Sequence, residues 1–294
     1  TAFQPHHFPS MPEPPAVITE PKEATEYVLS NYWNEFLAKA YPCDSGIVNG
    51  VPADEVEKAF GTYVTLLERG CGIDFGRKAM AGFFDKVEKF EAADTSTNVF
   101  EFFEEMVPKY FYDPNSPVRN EDLYLPYVSR LAVSDYVDPD MKPAYDHDAQ
   151  MCSLNMIGSH AADFTFTDLG GKRHTLYGVK AETTLLFFTN PGCPACKEII
   201  ESLTSDGKIA DLVASGRLAV VNVYIDDELD KWRENASVYP KNWYNGYDQS
   251  YIIRSDVTYN VRAIPSLYVL DSEKKVIMKD APVENVLPYL DNLK

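Results

Sequence analysis

The sequence predicts an all-helical N-terminal domain followed by an α/β domain whose mixed sheet is flanked by helices. Three observations carry this reading. From Lys22 to about Asn155 the apolar residues, many of them aromatic, recur with a period near 3.6. From Ala162 onward they alternate or gather into short apolar runs. One of those runs, Thr184 to Thr189, leads directly into Gly192-Cys193-Pro194-Ala195-Cys196-Lys197 at the start of a helical pattern.

The chain has 294 residues, 45% of them hydrophobic and 13% aromatic, enough to bury two sizeable cores. Its formal net charge of -18 argues against nucleic acid as a partner and against docking on anionic lipid. No apolar run approaches the length of a membrane-spanning helix, so no transmembrane segment is expected. The sequence opens at Thr1 without an initiator methionine or signal peptide. It therefore reads as a mature form, with any lipid anchor carried by a removed N-terminal segment.

Residues 1–21 hold Pro5, Pro9, Pro12, Pro14, Pro15 and Pro21 and read as an extended tether or surface arm. His6 and His7 within it read as solvated rather than metal-binding. A first amphipathic helix is expected over Ala24, Tyr27, Val28, Phe36, Leu37, Ala40 and Tyr41, and Pro42 to Gly50 is a turn. A second helix carries Val56, Phe60, Tyr63 and Leu67 and stops near Gly70, and a third carries Met80, Phe83, Phe84 and Phe90. Thr97 is expected to cap a fourth helix and Asn120 a fifth, with a weaker sixth from Pro143 to Leu154. Aromatics at helical spacing read as core, and Glu101, Glu104 and Glu105 as a solvated face. This half, 22–155, contains no catalytic constellation.

The second domain, 158–294, opens with a β-hairpin around Gly170-Gly171. A strand at 183–190 follows, then a helix from Cys193 to about Leu203 and a further helical piece ending near Gly216. Next come a strand at 218–225 and a charged helix at 227–236. Tyr239 to Tyr251 has no clear periodicity. A short helix at 250–259, strands at 266–270 and 276–278, and a helix opened by Pro282 complete the pattern.

Two cysteines three apart on a first helical turn have Cα atoms about 5 to 6 Å apart, within the reach of a disulfide. Cys193 is expected at the N-cap, where unpaired N–H groups and the helix dipole favour a thiolate. It is the expected reactive sulfur. Pro194 suits the first helical position, and Lys197 adds a nearby positive charge. A zinc site would need two further closely spaced ligands, but Cys43, Cys71 and Cys152 stand alone. Asn190 stands where a peroxide-reducing site would carry threonine. A permanently closed structural disulfide is the remaining alternative.

The dithiol after an apolar strand, together with Tyr259-Asn260-Val261-Arg262-Ala263-Ile264-Pro265-Ser266-Leu267-Tyr268-Val269-Leu270 far downstream, resembles the thioredoxin-like fold. Ala162-Asp163-Phe164 and the following turn are similar to envelope thiol-disulfide oxidoreductases of the TlpA/ResA type. The helical half, with Asn31-Tyr32-Trp33-Asn34 and Tyr112 to Asn120, resembles an uncharacterised domain that precedes such folds in Bacteroidetes-type envelope proteins.

The resemblance implies that Cys193 is the nucleophile and Cys196 the resolving thiol. It also makes Ile264-Pro265 a cis-proline turn beside them. Gly192, Pro194, Ile264 and Pro265 are then the surface for a client chain. No cofactor beyond the dithiol and no metal is implied. The implied partners are client proteins with disulfides or thiols and a membrane electron donor or acceptor. The implied location is the periplasm or cell envelope, with a lean toward reduction. The alternative is a redox-inactive binding or scaffold module that uses the helical domain to grip a partner. Three positions depart from the family's pattern. Gly192 replaces a common Trp, Phe187 stands where thioredoxins place a buried acid, and Ile199 stands where the envelope branch often has Glu. Glu198 is adjacent but points elsewhere on the helix, so the proton acceptor for Cys196 is open.

Overall fold

The apolar runs of the second half pair into one seven-stranded mixed sheet. In the computed structural model, which describes residues 3–294, its strands are β3 (Thr165–Asp168), β4 (Arg173–Thr175), β5 (Thr183–Phe188), β6 (Leu218–Tyr224), β7 (Tyr244–Tyr247), β8 (Ser266–Leu270) and β9 (Val276–Met278). Their order is β4-β3-β7-β6-β5-β8-β9. The central β7, β6 and β5 are parallel, and every other pairing is antiparallel. Parallel neighbours need crossovers, and the helical segments between these strands supply them. After β5 come α7 (Pro194–Ser205) and α8 (Gly207–Ala214); after β6 comes α9 (Leu229–Asn235). The short α10 (Ile252–Ser255) precedes β8, and α11 (Val283–Asp291) ends the chain.

Both faces of this sheet are covered, which is why β5 and β6 are buried along their whole length. Leu185, Phe187, Val220 and Leu267 face one layer with Ile199, Ile200 and Leu203 of α7 and Leu290 of α11. Leu186, Phe188, Val221 and Tyr268 face the other with Phe164, Phe166 and Tyr259.

Two expectations in this half need correction. The segment without periodicity contains β7, which joins β6 to β3. Its Gly246 hides the strand from a propensity reading, yet a Cβ there would lie 2.7 Å from the Phe166 ring and 2.8 Å from the Thr167 carbonyl oxygen. The helix expected over 250–259 is only the single turn of α10, preceded by Tyr251 at a φ of 55°.

The N-terminal half contains α1 (Pro21–Asn31), the two-residue strands β1 (Ile47–Val48) and β2 (Val51–Pro52), α2 (Ala53–Gly70), α3 (Ile73–Ala93), α4 (Val99–Phe111), α5 (Glu121–Leu131) and α6 (Lys142–Cys152). Its core is aromatic. Trp33 stacks on Phe83 with centroids 4.9 Å apart and meets Phe103 edge-on at 5.2 Å. α1 stops at Asn31, earlier than its periodicity implies. The buried Asn49 side chain accepts from Tyr41 N–H (2.8 Å) and donates to the carbonyls of Phe36 (2.7 Å) and Lys39 (3.0 Å). These bonds satisfy the turn that replaces the helix's last part and let Trp33 and Phe36 enter the core.

Asn120 caps α5 by accepting from Leu123 N–H at 3.0 Å. Thr97 does not cap α4. The residue before that helix is Asn98, and the Thr97 hydroxyl instead contacts Glu91 (3.4 Å) and the Asp94 carbonyl (3.1 Å). The first two residues of the proline-rich segment lie outside the described ones, and the rest runs without regular structure to α1. His6 N–H donates to Gly50 O (2.9 Å) and Phe8 N–H to Glu55 (2.8 Å), while the Phe8 ring lies 5.2 Å from that of Phe36. Gly50, at a φ of 80°, sits in the left-handed region that favours glycine, with the His6 ring beside it.

The chain divides into two compact units between Gln150 and Met151. The break precedes the change of periodicity because residues 151–155 bond into the second unit. Lys279 donates to the carbonyls of Cys152 and Leu154. Asn155 donates to Thr258 O and accepts from Ala162 N–H, each at 2.8 Å.

Candidate active site

The site stands at the C-terminal end of β5, where the chain leaves the sheet and turns into α7. Asn190 shapes that turn. Its carbonyl accepts from Cys193 N–H at 3.1 Å and its side chain from Gly192 N–H at 3.0 Å. Cys193 is the N-cap of α7 and Pro194 its first residue, where a missing N–H leaves nothing unsatisfied. The Cys193 sulfur accepts from Cys196 N–H at 3.1 Å, so it uses one of the donors that every helix start leaves unpaired.

The two sulfurs have unlike surroundings. Cys193 is partly exposed, with the exposed Gly192, Pro194 and Ala195 around it, whereas Cys196 is 1% exposed in the apolar layer beneath α7. All five cysteines are free thiols. Burial, reinforced by the hydrogen bond with Cys193, pushes the Cys196 thiol up to about 12, and the backbone of Asn190 acts in the opposite sense. Cys196 is therefore a thiol at neutral pH until something helps its proton away.

The Ile264–Pro265 bond is cis, and the next residue, Ser266, pairs with Phe188 at the end of β5. This register brings Pro265 to the same edge of the sheet as the dithiol turn. Ile264 packs on the apolar layer that also holds both cysteines. Of the positions that departed from the expected pattern, Phe187 and Ile199 are buried in that layer and Glu198 is exposed.

A polar group missed in the sequence occupies the same layer. Thr189 Oγ1 lies 2.5 Å from Asn222 Oδ1 and 2.7 Å from the Tyr239 hydroxyl. Asn222 Nδ2 donates to Asn245 Oδ1 at 3.0 Å, and Asn245 Nδ2 donates to Pro240 O at 2.8 Å. One signal for it was legible: Asn222 interrupts the apolar run of β6 at a position facing the same side as Val220.

A family described as a domain of unknown function (DUF5106) matches residues 3–155. Across both units the chain is similar to the crystal structure of a thioredoxin-like protein from Bacteroides caccae, with 32% identity over 96% of this chain and 97% of that one and a TM-score of 0.81. The chain belongs to this family of thioredoxin-like proteins with an N-terminal DUF5106 domain. The second unit of this DUF5106 protein has a thioredoxin-like fold, and the N-terminal unit is the helical domain that the family description covers. The C-terminal domain of an uncharacterized protein from Bacteroides fragilis is also similar, at 44% identity over 46% of this chain and 97% of that one, with a TM-score of 0.45. Comparison with curated proteins finds no match. No helix among the described residues is long and apolar enough to cross a membrane.

Proposed function

We propose that this protein is a thiol-disulfide oxidoreductase acting on protein disulfides, with Cys193 as nucleophile and Cys196 as resolving thiol. The observation that carries the proposal is the asymmetry of the pair: a partly exposed sulfur at a helix N-cap three residues before a buried one. Cys193 as thiolate attacks a client disulfide; a Cys193–client bond forms, and the other client sulfur leaves with the electron pair and takes up a proton. Cys196 then displaces the client from Cys193, leaving the protein oxidised and the client as a dithiol. Gly192, Pro194 and the Ile264-Pro265 turn form the surface on which the client backbone rests. The direction we favour is reduction, which requires a membrane electron donor to restore the dithiol. The location we favour is the cell envelope, where client disulfides persist, with a lipid anchor as the means of retention.

Trapping tests this reading. Cys196→Ala leaves a nucleophile with nothing to release it, so clients should accumulate as mixed disulfides through Cys193, and Cys193→Ala should trap none. Replacing Cys43, Cys71 and Cys152 should leave the trapped bands unchanged. Equal trapping by both single variants would overturn the assigned roles. No trapped partner in cells supplied with oxidised clients would favour a scaffold with an idle dithiol.

A further inference from the structure

The N-terminal unit carries a basic groove that the oxidoreductase reading does not use. Lys78, Gly82, Lys86 and Lys89 share one face of α3, because residues three and four apart on a helix are neighbours. They line two adjoining hollows that have Lys86 in common. The first, of about 180 Å³, is lined by Lys78, Gly82 and Lys86 together with the core aromatics Trp33, Tyr63 and Phe83. The second, of about 400 Å³, is lined by Lys86, Lys89 and Lys39 with Leu37 and Phe90 as apolar wall and Asp94 at one side.

Four lysines along one groove stand out in a chain with 45 acidic and 27 basic residues. The neighbouring acids are engaged elsewhere. Asp85 and Glu88 of α3 pair with Arg130 at 2.7 and 3.7 Å, and Asp94 accepts from the N–H and hydroxyl of Ser96 at 3.0 and 2.5 Å. Lys86 gives one of its three ammonium donors to Ser30 O at 2.6 Å. Lys78 and Lys89 are exposed and have no ion pair or hydrogen bond among the described residues.

Gly82 is an independent observation. Glycine inside a helix costs about 1 kcal/mol relative to alanine. Gly76, also in α3, is buried against Leu123, so its missing side chain serves the packing of the unit. A Cβ at Gly82 would meet nothing within 4 Å, so the packing of the unit gains nothing from glycine there. What the missing side chain leaves is open helix backbone midway between Lys78 and Lys86, a surface that another chain can approach closely.

We propose that this groove binds an acidic segment of a partner protein in extended conformation, with an apolar side chain over Gly82 and a carboxylate on each side of it at Lys78 and Lys86. The spacing selects the pattern. Eight residues of helix separate the two lysines by about 12 Å. Four residues of extended chain span about 13 Å, and residues i, i+2 and i+4 point the same way. Acid-x-apolar-x-acid therefore fits. A helical occupant, about 10 to 12 Å across with its side chains, is too wide for hollows of this size.

The test uses the full chain and the peptide SEAFAES, labelled with fluorescein at its N-terminus, followed by fluorescence polarisation. SEAFAES should bind, and raising the salt should weaken it, whereas SKAFAKS should not bind. SAEFEAS has the same composition but turns its acids to the opposite side from its Phe, so it should bind about tenfold more weakly. Gly82→Phe fills the groove at a position with free space around it and should abolish binding. Should that variant fail to fold, Lys78→Glu with Lys89→Glu, both on the surface, should weaken binding about tenfold. Of the three tryptophans only Trp33 lies in the N-terminal unit, so in 5-fluorotryptophan-labelled protein its fluorine resonance alone should shift. Equal binding of SEAFAES and SAEFEAS, unchanged affinity in Gly82→Phe, or a shift confined to Trp232 or Trp243 would overturn the inference. So would sedimentation showing a second copy of the chain on the groove with the peptide excluded. The result is separate from the dithiol chemistry, because Cys193→Ala should bind SEAFAES as the unaltered protein does.

Discussion

At the scale of single residues, burial decides which groups are chemically unusual. Cys196 is one such group and Glu91 another. Glu91 is 4% exposed, and burial, then the neighbouring Glu101 and Asp94, push its carboxyl up to about 7 against the opposing Thr97 contact. The folded pKa lies above the unfolded value of about 4.3, so the folded state binds the proton more tightly. The stabilisation is complete below about pH 4 and is lost as pH rises toward 7. Glu91→Gln should therefore raise stability by on the order of 2 kcal/mol at pH 8 and by little at pH 4. Urea-unfolding midpoints of both proteins from pH 4 to 9 check this, and a gain independent of pH would contradict it. The Cys193-Pro194-Ala195-Cys196 spacing announced a dithiol at a helix start, but the contrast between its sulfurs depends on the layer beneath α7.

At the scale of elements, the helix boundaries show where local chemistry suffices. Asn120 supplies its cap from within the same turn, so a sequence reading finds it. Asn120→Ala should cost about 1 kcal/mol, seen as a lowered melting temperature with the trapping behaviour unchanged. A loss under about 0.3 kcal/mol would mean that solvent replaces the cap at no cost. The segment after α1 is different, because Asn49, 18 residues beyond Asn31, bonds the turn at Phe36, Lys39 and Tyr41. β7 differs for a similar reason. Its residues are turn-formers, and pairing with β6 and β3 makes them a strand.

At the scale of the whole molecule, the chain divides at Gln150/Met151 into two compact units. Each unit has its own core, so residues 151–294 should fold alone and keep the trapping behaviour of the dithiol. A fragment starting at Gly158 should be less stable, by roughly 1 to 3 kcal/mol, because it lacks the two hydrogen bonds of Asn155. Denaturant unfolding of the two fragments provides the comparison. Equal midpoints would show that the 151–157 segment contributes nothing, and a molten 151–294 fragment would refute independent folding.

The sequence by itself determined the change from helical to alternating periodicity, the strand that feeds a dithiol, the N-cap position of Cys193 and the fold class. Each follows from residues near one another in the chain, where spacing and local bonding speak directly. Tertiary structure alone decided the layer that buries Cys196, the recruitment of β7 and the assembly of Thr189, Asn222 and Tyr239, whereas the place of Pro265 beside the dithiol was implied by the resemblance. Thr189 and Tyr239 are 50 residues apart and adjoin only because parallel strands and their crossovers stack them in one layer. Long-range pairing of that kind leaves little trace in local pattern, and Asn222, a polar residue within an apolar strand, was the trace it did leave.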